Sequence, residues 1–151
     1  MKNMNLSKWF TVVLITLFGI TTYGQTELSA SDLTSEWQLM QEEAGIQFFV
    51  KQEYCKRPAS EKKSQYSFVN LVNTTDSDVT VQFQLGVQYD EGCNGCIGNA
   101  ESIKTVIVPA NSSLEGDCSF ENYQLSVLIK NLNHNNSREF ESLKLVEFKI
   151  D

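Results

Sequence analysis

The sequence predicts an all-β protein, an antiparallel sandwich of seven to eight strands that follows an N-terminal signal peptide. Three observations support this fold class. The segment Val79–Tyr89 alternates strictly between apolar and polar or glycine positions, a period that a helix cannot satisfy. Several shorter segments are rich in β-branched and aromatic residues, and clusters of turn-forming residues separate them. No long segment has a clear helical period, so the strands must pack on one another.

The first 24 residues have the composition of a secretory signal. Lys2 and Lys8 give a positive start, residues 9–20 are largely apolar, and small or polar residues precede a cleavage site before Gln25. The apolar run is much shorter than the roughly 20 residues that cross a bilayer, so we expect no membrane span in the mature form. The predicted organisation is a signal peptide at 1–24, an N-terminal lead-in at 25–35 and a single sandwich domain at 36–151.

Cleavage would leave an acidic chain. The 151 residues include 12 Lys and Arg against 19 Asp and Glu. The leader contains two of the lysines and no acidic residue, so the mature chain has a net charge of −9. Nucleic-acid binding requires a basic surface, and this composition excludes it as a function.

The first half of the mature chain contains four predicted strands. Trp37–Met40 is a short first strand that turns back through residues 43–45. Ile46–Tyr54 alternates less cleanly, and Tyr66–Val72 is apolar on both faces, as expected of a central strand. Val79–Tyr89 has one buried face and one solvent-facing side. The solvent-facing positions are Thr80, Gln82, Gln84, Gly86 and Gln88.

The second half contains four more segments. Ile103–Val108 and Ser113–Cys118 are predicted strands. In Leu143–Ile150 the apolar face switches between Leu145 and Val146, which indicates a β-bulge.

The fourth segment, 123–132, fits both a helical and a strand period. We interpret it as a strand because it contains Val and Ile and because neighbouring strands need partners. Residues 73–77 and 109–112 are predicted hairpin loops.

The four cysteines are predicted to lie at one end of the sandwich. Counting strand directions through the predicted hairpins places Cys55, Cys93, Cys96 and Cys118 at the same end. In an exported domain two disulfides are the favoured chemistry, with three possible pairings. A zinc site with four thiolates is one alternative. A redox-active Cys93–Cys96 pair is another, although the acidic residues that precede it would raise a thiol pKa.

Other polar residues give weaker signals. His134 is the single histidine and lies in an Asn-rich loop, so no nucleophilic triad is credible. We therefore expect no enzymatic activity and no cofactor. Oxygen ligands at the cysteine end could converge on calcium, but they lack the spacing of an EF-hand loop. These weak candidates are Asp90, Glu91, Asn94, Glu115 and Asp117.

Two features of the sequence point to a known kind of protein: the mature chain is small, acidic and rich in strands, and its leader ends in Tyr23-Gly24 before Gln25. The chain resembles exported immunoglobulin-like and fibronectin-type β-sandwich proteins of the Bacteroidota. It lacks the Cys–Trp–Cys core signature of antibody domains, because Trp37 precedes every cysteine. The resemblance implies an exported sandwich and assigns no catalytic residue.

The predicted function is binding rather than catalysis. Sandwich domains carry function on loops that a rigid scaffold holds in place. We expect this chain to bind a protein or glycan through its end loops or the Gln-bearing face of Val79–Tyr89, in the periplasm, at the cell surface or outside the cell. The alternative is a carbohydrate-binding or calcium-dependent adhesion module. Thiol–disulfide exchange at Cys93 and Cys96 is a less favoured third possibility.

Overall fold

The computed structural model describes residues 27–56, 63–98, 100–132 and 138–151. Within these ranges it contains ten strands, one 3-10 turn at Tyr123–Leu125 and no α-helix. The strands are β1 (Glu27–Ser29), β2 (Gln38–Glu43), β3 (Ile46–Lys56), β4 (Lys63–Asn73), β5 (Val79–Tyr89), β6 (Gly92–Asn94), β7 (Lys104–Val108), β8 (Ser112–Glu115), β9 (Ser126–Asn131) and β10 (Phe140–Ile150). The predicted signal peptide and His134 lie outside the described residues.

The strands form two antiparallel sheets that pack face to face. In sheet A, β10 lies between β1 and β5, and the other edge of β5 pairs with both β6 and β7. In sheet B, β3 lies between β2 and β4, and the other edge of β4 pairs with both β8 and β9. The antiparallel sandwich is confirmed. It has ten strands rather than seven or eight, because β1 and β6 are three residues each and too short to show a period.

The predicted lead-in contributes to the fold. Strand β1 pairs with β10, and the Leu28 side chain is buried in the core. Leu33, which lies between β1 and β2, is buried in the same core.

The hairpin from β2 to β3 turns where the sequence predicts. Ala44 and Gly45 both have positive φ, 48° and 79°. Two successive residues with positive φ are the requirement of a type I′ hairpin turn, which matches the twist of the flanking strands. The turn fixes the register that pairs Glu43 with Ile46.

Two predicted hairpins are instead crossovers between the sheets. Residues 74–78 lead from β4 in sheet B to β5 in sheet A, and residues 109–111 lead from β7 in sheet A to β8 in sheet B. The prediction was wrong because polar turn-forming residues serve both kinds of connection. The strands on either side of each turn do not pair with each other.

The core lies between the sheets and follows the predicted alternation. Phe48 of β3 packs edge-on against Phe83 of β5 and Phe148 of β10, with ring centroids 5.2 and 5.6 Å apart. In β10 the register shifts between Leu145 and Glu147, which leaves Val146 as the extra residue of a bulge. The bulge is confirmed, and it lets both Leu145 and Phe148 reach the core.

The ambiguous segment 123–132 contains a turn followed by a strand. The 3-10 turn at Tyr123–Leu125 buries Leu125 completely, and β9 then pairs with β4. The strand interpretation is confirmed for 126–131, and the helical spacing has no counterpart in the structure, because Leu128 and Leu132 are exposed.

Asn73 holds the two crossovers together at one end of the sandwich. Its side chain is 1% exposed. Its Nδ2 lies 2.8 Å from the carbonyl oxygen of Ser77, 3.0 Å from that of Val108 and 3.1 Å from that of Pro109. Its Oδ1 accepts hydrogen bonds from the backbone N–H and the hydroxyl of Thr75.

Replacement of Asn73 by alanine is expected to lower the free energy of unfolding by about 2–4 kcal/mol, because it leaves several buried polar groups without partners. Urea unfolding of the purified variant measures the loss. The matched control is Asn122→Ala, which removes an exposed amide that donates to the carbonyl of Glu115. Equal losses in the two variants would contradict the role assigned to Asn73.

Candidate functional site

The two central strands share an unusual pattern of partners. Along one edge of β5 lie β6 and then β7, and along one edge of β4 lie β8 and then β9. In each case the chain leaves the sheet between the two short strands and returns to the same edge. These excursions, whose described residues are 95–98 and 100–103 on sheet A and 116–125 on sheet B, carry residues that cover the outer faces of the central strands.

The excursion on sheet B is fixed by a disulfide and an aromatic cluster. Cys118 is bonded to Cys55 of β3, with their Cα atoms 5.5 Å apart. Phe120 packs edge-on against Tyr66, at a centroid distance of 4.9 Å, and lies 5.9 Å from the ring of Phe68. Tyr66 and Phe68 face away from the main core, so these contacts form a second, separate apolar cluster on the outside of the sheet.

A turn at Asp117–Phe120 shapes this excursion. The Asp117 carboxylate accepts a hydrogen bond from the backbone N–H of Ser119 at 2.7 Å. Hydrogen bonds from Ser119 lower the pKa of Asp117, and the positive charge of Lys51 lowers it further. Phe120 has a φ of 59°, which is uncommon for a residue with a side chain. The turn directs the ring of Phe120 onto the sheet, and the strained backbone is compensated by that burial.

The excursion on sheet A is fixed by the second disulfide and by Gln84. Cys93 is bonded to Cys96, with their Cα atoms 5.6 Å apart. Gln84 donates from its Nε2 to the carbonyl oxygens of Gly95 and Ile97, at 2.6 and 3.1 Å. Gly86 lets this segment approach β5, because a Cβ atom there would lie 2.7 Å from the Cys96 sulfur.

The prediction that this whole side of β5 faces solvent was wrong, because Gln84 and Gly86 are buried. Gln84 is only 1% exposed, and its amide nitrogen donates two hydrogen bonds to the covering segment. Gln82 and Gln88 remain partly exposed on either side of it. The period of the sequence correctly separates the two faces, but it cannot show that a later segment folds back over one of them.

The five calcium candidates are not brought together as one site. Asp90 accepts hydrogen bonds from the backbone N–H groups of Glu91 and Glu139 at the end of sheet A. Glu91 lies 3.3 Å from Arg138, and on the other sheet Glu115 lies 3.7 Å from Lys51. The remaining candidates are Asn94, which ends β6, and Asp117, which forms the turn described above. Across the described ranges, no three His, Cys, Asp or Glu side chains are grouped closely enough to hold a metal ion.

A groove that the sequence did not reveal lies between the edges of the two sheets. It is lined by Thr105–Ile107 of β7, by Leu114 of β8 and by residues 121–125, and it has a volume of about 510 Å³. The buried side chains of Val106 and Leu125 form its base. Ile107 and Tyr123 line it and are 63% and 65% exposed, a large exposure for apolar and aromatic side chains.

The edge of β7 that borders this groove has no strand partner in the described part of the chain, because β7 pairs with β5 alone. Glu121 is the one ionisable side chain of the lining with a formal charge at neutral pH, and it makes no ion pair within the described residues. The groove therefore combines an apolar floor, an unpaired strand edge and a single negative charge. No cue in the sequence could have located it, since its walls come from two different sheets.

Comparison with known proteins identifies no family. No protein-family profile matches the chain, and no curated protein matches it. A solved structure titled "X-ray structure of Northeast Structural Genomics Consortium target SoR45" aligns with 72% of this chain and 87% of its own, at 10% identity and a TM-score of 0.35, and we infer nothing from it. Within the described residues, no helix has the length and apolar character needed to cross a membrane.

Loss of the Cys55–Cys118 disulfide is expected to destabilise the fold more than loss of Cys93–Cys96. The bonded cysteines are 63 and 3 positions apart, and the chain-entropy model gives about 4 kcal/mol for the longer loop and about 2 kcal/mol for the shorter. Urea unfolding of the oxidised double alanine variants, Cys55→Ala with Cys118→Ala and Cys93→Ala with Cys96→Ala, measures both losses. An equal or larger loss in the second variant would contradict the prediction.

Proposed function

We propose that this protein is an exported, non-enzymatic sandwich that binds an extended peptide segment in the groove between β7 and residues 121–125. The observation that supports this most directly is the unpaired edge of β7 beside an apolar groove. An extended peptide can add to such an edge through backbone hydrogen bonds, while alternate side chains enter the groove. Val106 and Leu125 form an apolar base for those side chains, and Ile107 and Tyr123 are exposed beside them.

The charge of the groove favours a partner with a basic residue. Glu121 makes no ion pair among the described residues, and the rest of the lining is uncharged. The chain as a whole carries seven more acidic than basic residues, which adds attraction for a basic partner. We therefore assign the groove to peptides that combine alternating apolar residues with Lys or Arg.

Export is part of the same proposal. The leader has the charge and apolar pattern of a secretory signal, and the four cysteines of the sequence are paired in two disulfides. Disulfides persist in oxidising compartments and are rare in the cytosol. The relationship to immunoglobulin-like and fibronectin-type proteins of the Bacteroidota stays a prediction.

Two alternatives have less support. A carbohydrate-binding or calcium-dependent adhesion module would use the glutamine face of β5 or the acidic candidates, but Gln84 is engaged internally and the carboxylates are distributed over two sheets. Thiol–disulfide exchange favours a cysteine at a helix N-terminus, where the dipole lowers the thiol pKa. Cys93 instead lies in a strand, two residues after the exposed carboxylate of Glu91.

Expression of the full chain with its leader in a bacterial host is expected to yield an exported product that begins at Gln25. Intact-mass measurement without reductant checks the cleavage site and the loss of four hydrogens that two disulfides require. Retention of residues 1–24 in the exported protein, or four thiols that react with an alkylating reagent, would contradict the proposal.

Selection of random displayed peptides on the purified protein is expected to enrich sequences with alternating apolar residues and at least one Lys or Arg. The Ile107→Lys variant should bind a selected peptide at least about tenfold more weakly, since it removes an apolar side chain beside the groove and places a positive charge that repels a basic peptide. Fluorescence anisotropy with the labelled peptide measures both affinities, and thermal unfolding verifies that the variant is folded.

The matched control is Leu39→Lys, which introduces the same charge on β2, an edge strand of the other sheet where Leu39 is 40% exposed. Binding should persist in this variant. Absence of enrichment on the wild-type protein, or equal weakening by both substitutions, would exclude the groove as the binding site.

A further inference from the structure

The two disulfides differ in their access to solvent. Cys55 is 2% exposed, its partner Cys118 is partly buried, and both lie in the aromatic cluster on sheet B. Cys93 is exposed, and Cys96 is partly buried against β5. Since thiol–disulfide exchange requires a thiolate to reach a disulfide sulfur, a reductant meets the Cys93–Cys96 bond first.

Both cysteines of the accessible disulfide are anchored on β5. Cys93 lies in β6 opposite Gln88, and the sulfur of Cys96 lies directly over Gly86. The bond therefore ties the start of the excursion to the surface it covers. The segment is also attached by the pairing of β6 with Val87–Tyr89 and by the two hydrogen bonds that Gln84 donates to Gly95 and Ile97.

The covered surface is a defined part of the outer face of sheet A. It includes Gln84 and Gly86 of β5, which are buried, and it borders Val146, the bulged residue of β10. Ile97, at the outside of the covering segment, is 84% exposed. Release of the segment would expose the side chain of Gln84 and the backbone at Gly86, which are buried in the folded protein.

We propose that residues 93–98 form a cover over the outer face of β5 that dithiol reduction of Cys93–Cys96 opens. A thiolate of the dithiol attacks the exposed Cys93 sulfur, and Cys96 leaves as a thiolate that takes up a proton. The second thiol of the reductant then attacks the mixed disulfide and releases Cys93 as a thiol. The reductant becomes a cyclic disulfide, so two electrons and two protons pass to the two cysteines.

The pairing of β5 with its other neighbours does not involve this bond. β5 keeps its pairing with β10 from Val81 to Tyr89 and with β7 from Val79 to Phe83. Neither Cys93 nor Cys96 belongs to either apolar cluster. The opened state is therefore a local rearrangement of one face, distinct from the peptide groove and independent of the proposal for that groove.

Timed reduction of the oxidised protein with dithiothreitol, followed by alkylation and peptide mapping, tests the first half of the proposal. Cys93 and Cys96 should be alkylated at least about tenfold faster than Cys55 and Cys118, since reactivity follows access. Equal rates, or faster reduction of Cys55–Cys118, would overturn the proposal. Retention of Cys55–Cys118 also reports that the fold is intact during the experiment.

Hydrogen exchange of the selectively reduced protein tests the second half. Amides in 84–88 and 92–98 should exchange at least about tenfold faster than in the oxidised protein, while those of β3 and β4 keep their rates. Unchanged exchange in both segments after reduction would show that the disulfide does not hold the cover closed, which overturns the proposal.

A glycine variant separates the cover from the disulfide itself. In Gly86→Ala the new Cβ would lie 2.7 Å from the Cys96 sulfur and 3.1 Å from a methyl group of Val146, so the segment must shift outward. Its Cys93–Cys96 bond should be reduced faster than in the wild type. The control is Gly98→Ala, whose Cβ makes an ordinary 3.6 Å contact with Glu147 and should leave the rate unchanged. Equal rates in the two variants would contradict the role given to Gly86.

Discussion

The outer face of β4 carries aromatic rings that must be covered, and this requirement determines much of the architecture. β4 carries Tyr66 and Phe68 on the side that faces away from the main core, and both are almost fully buried. An isolated two-layer sandwich would leave these rings in water, at a cost of about 1.5–3 kcal/mol for a large apolar side chain. The chain avoids this by interrupting the pairing along one edge of each central strand. The excursion between the two short strands then lies over the outer face.

A covering segment of this length cannot stabilise itself by burial alone, and each is held by a disulfide together with side-chain contacts. On sheet B the contacts are aromatic, between Phe120 and two rings of β4. On sheet A they are polar, between Gln84 and two carbonyl groups. The buried bond to Cys55 closes a long loop, whereas the exposed Cys93–Cys96 bond closes a very short one. The two covers therefore differ in how strongly each is coupled to global stability.

Features that depend on the alternation of apolar and polar residues along one strand could be predicted from the sequence. Features that depend on which sheet a strand joins could not. Val79–Tyr89 was predicted with its observed bounds, and the switch of apolar face at Val146 correctly indicated a bulge, because both follow from alternation along one strand. The turns at 73–77 and 109–112 were correctly located, but they were assigned to hairpins although they connect different sheets. Gln84 and Gly86 occupy the polar or glycine positions of the alternating pattern, which predicts that they face solvent. They are buried by a segment that comes about ten residues later in the chain. Alternation along one strand gives no information about such a segment.

The position of the groove follows from the same interruption of pairing. Because β6 and β7 share one edge of β5, β7 is left as the outermost strand of sheet A at that position. The excursion on sheet B returns to its own sheet through Gly116 and Leu125, and a Cβ on Gly116 would lie only 2.9 Å from the Leu125 side chain. That close return places residues 121–125 opposite the edge of β7. The cover that buries the aromatic face of β4 thus also supplies one wall of the groove, so a change that displaces the cover on sheet B would alter the proposed binding site as well.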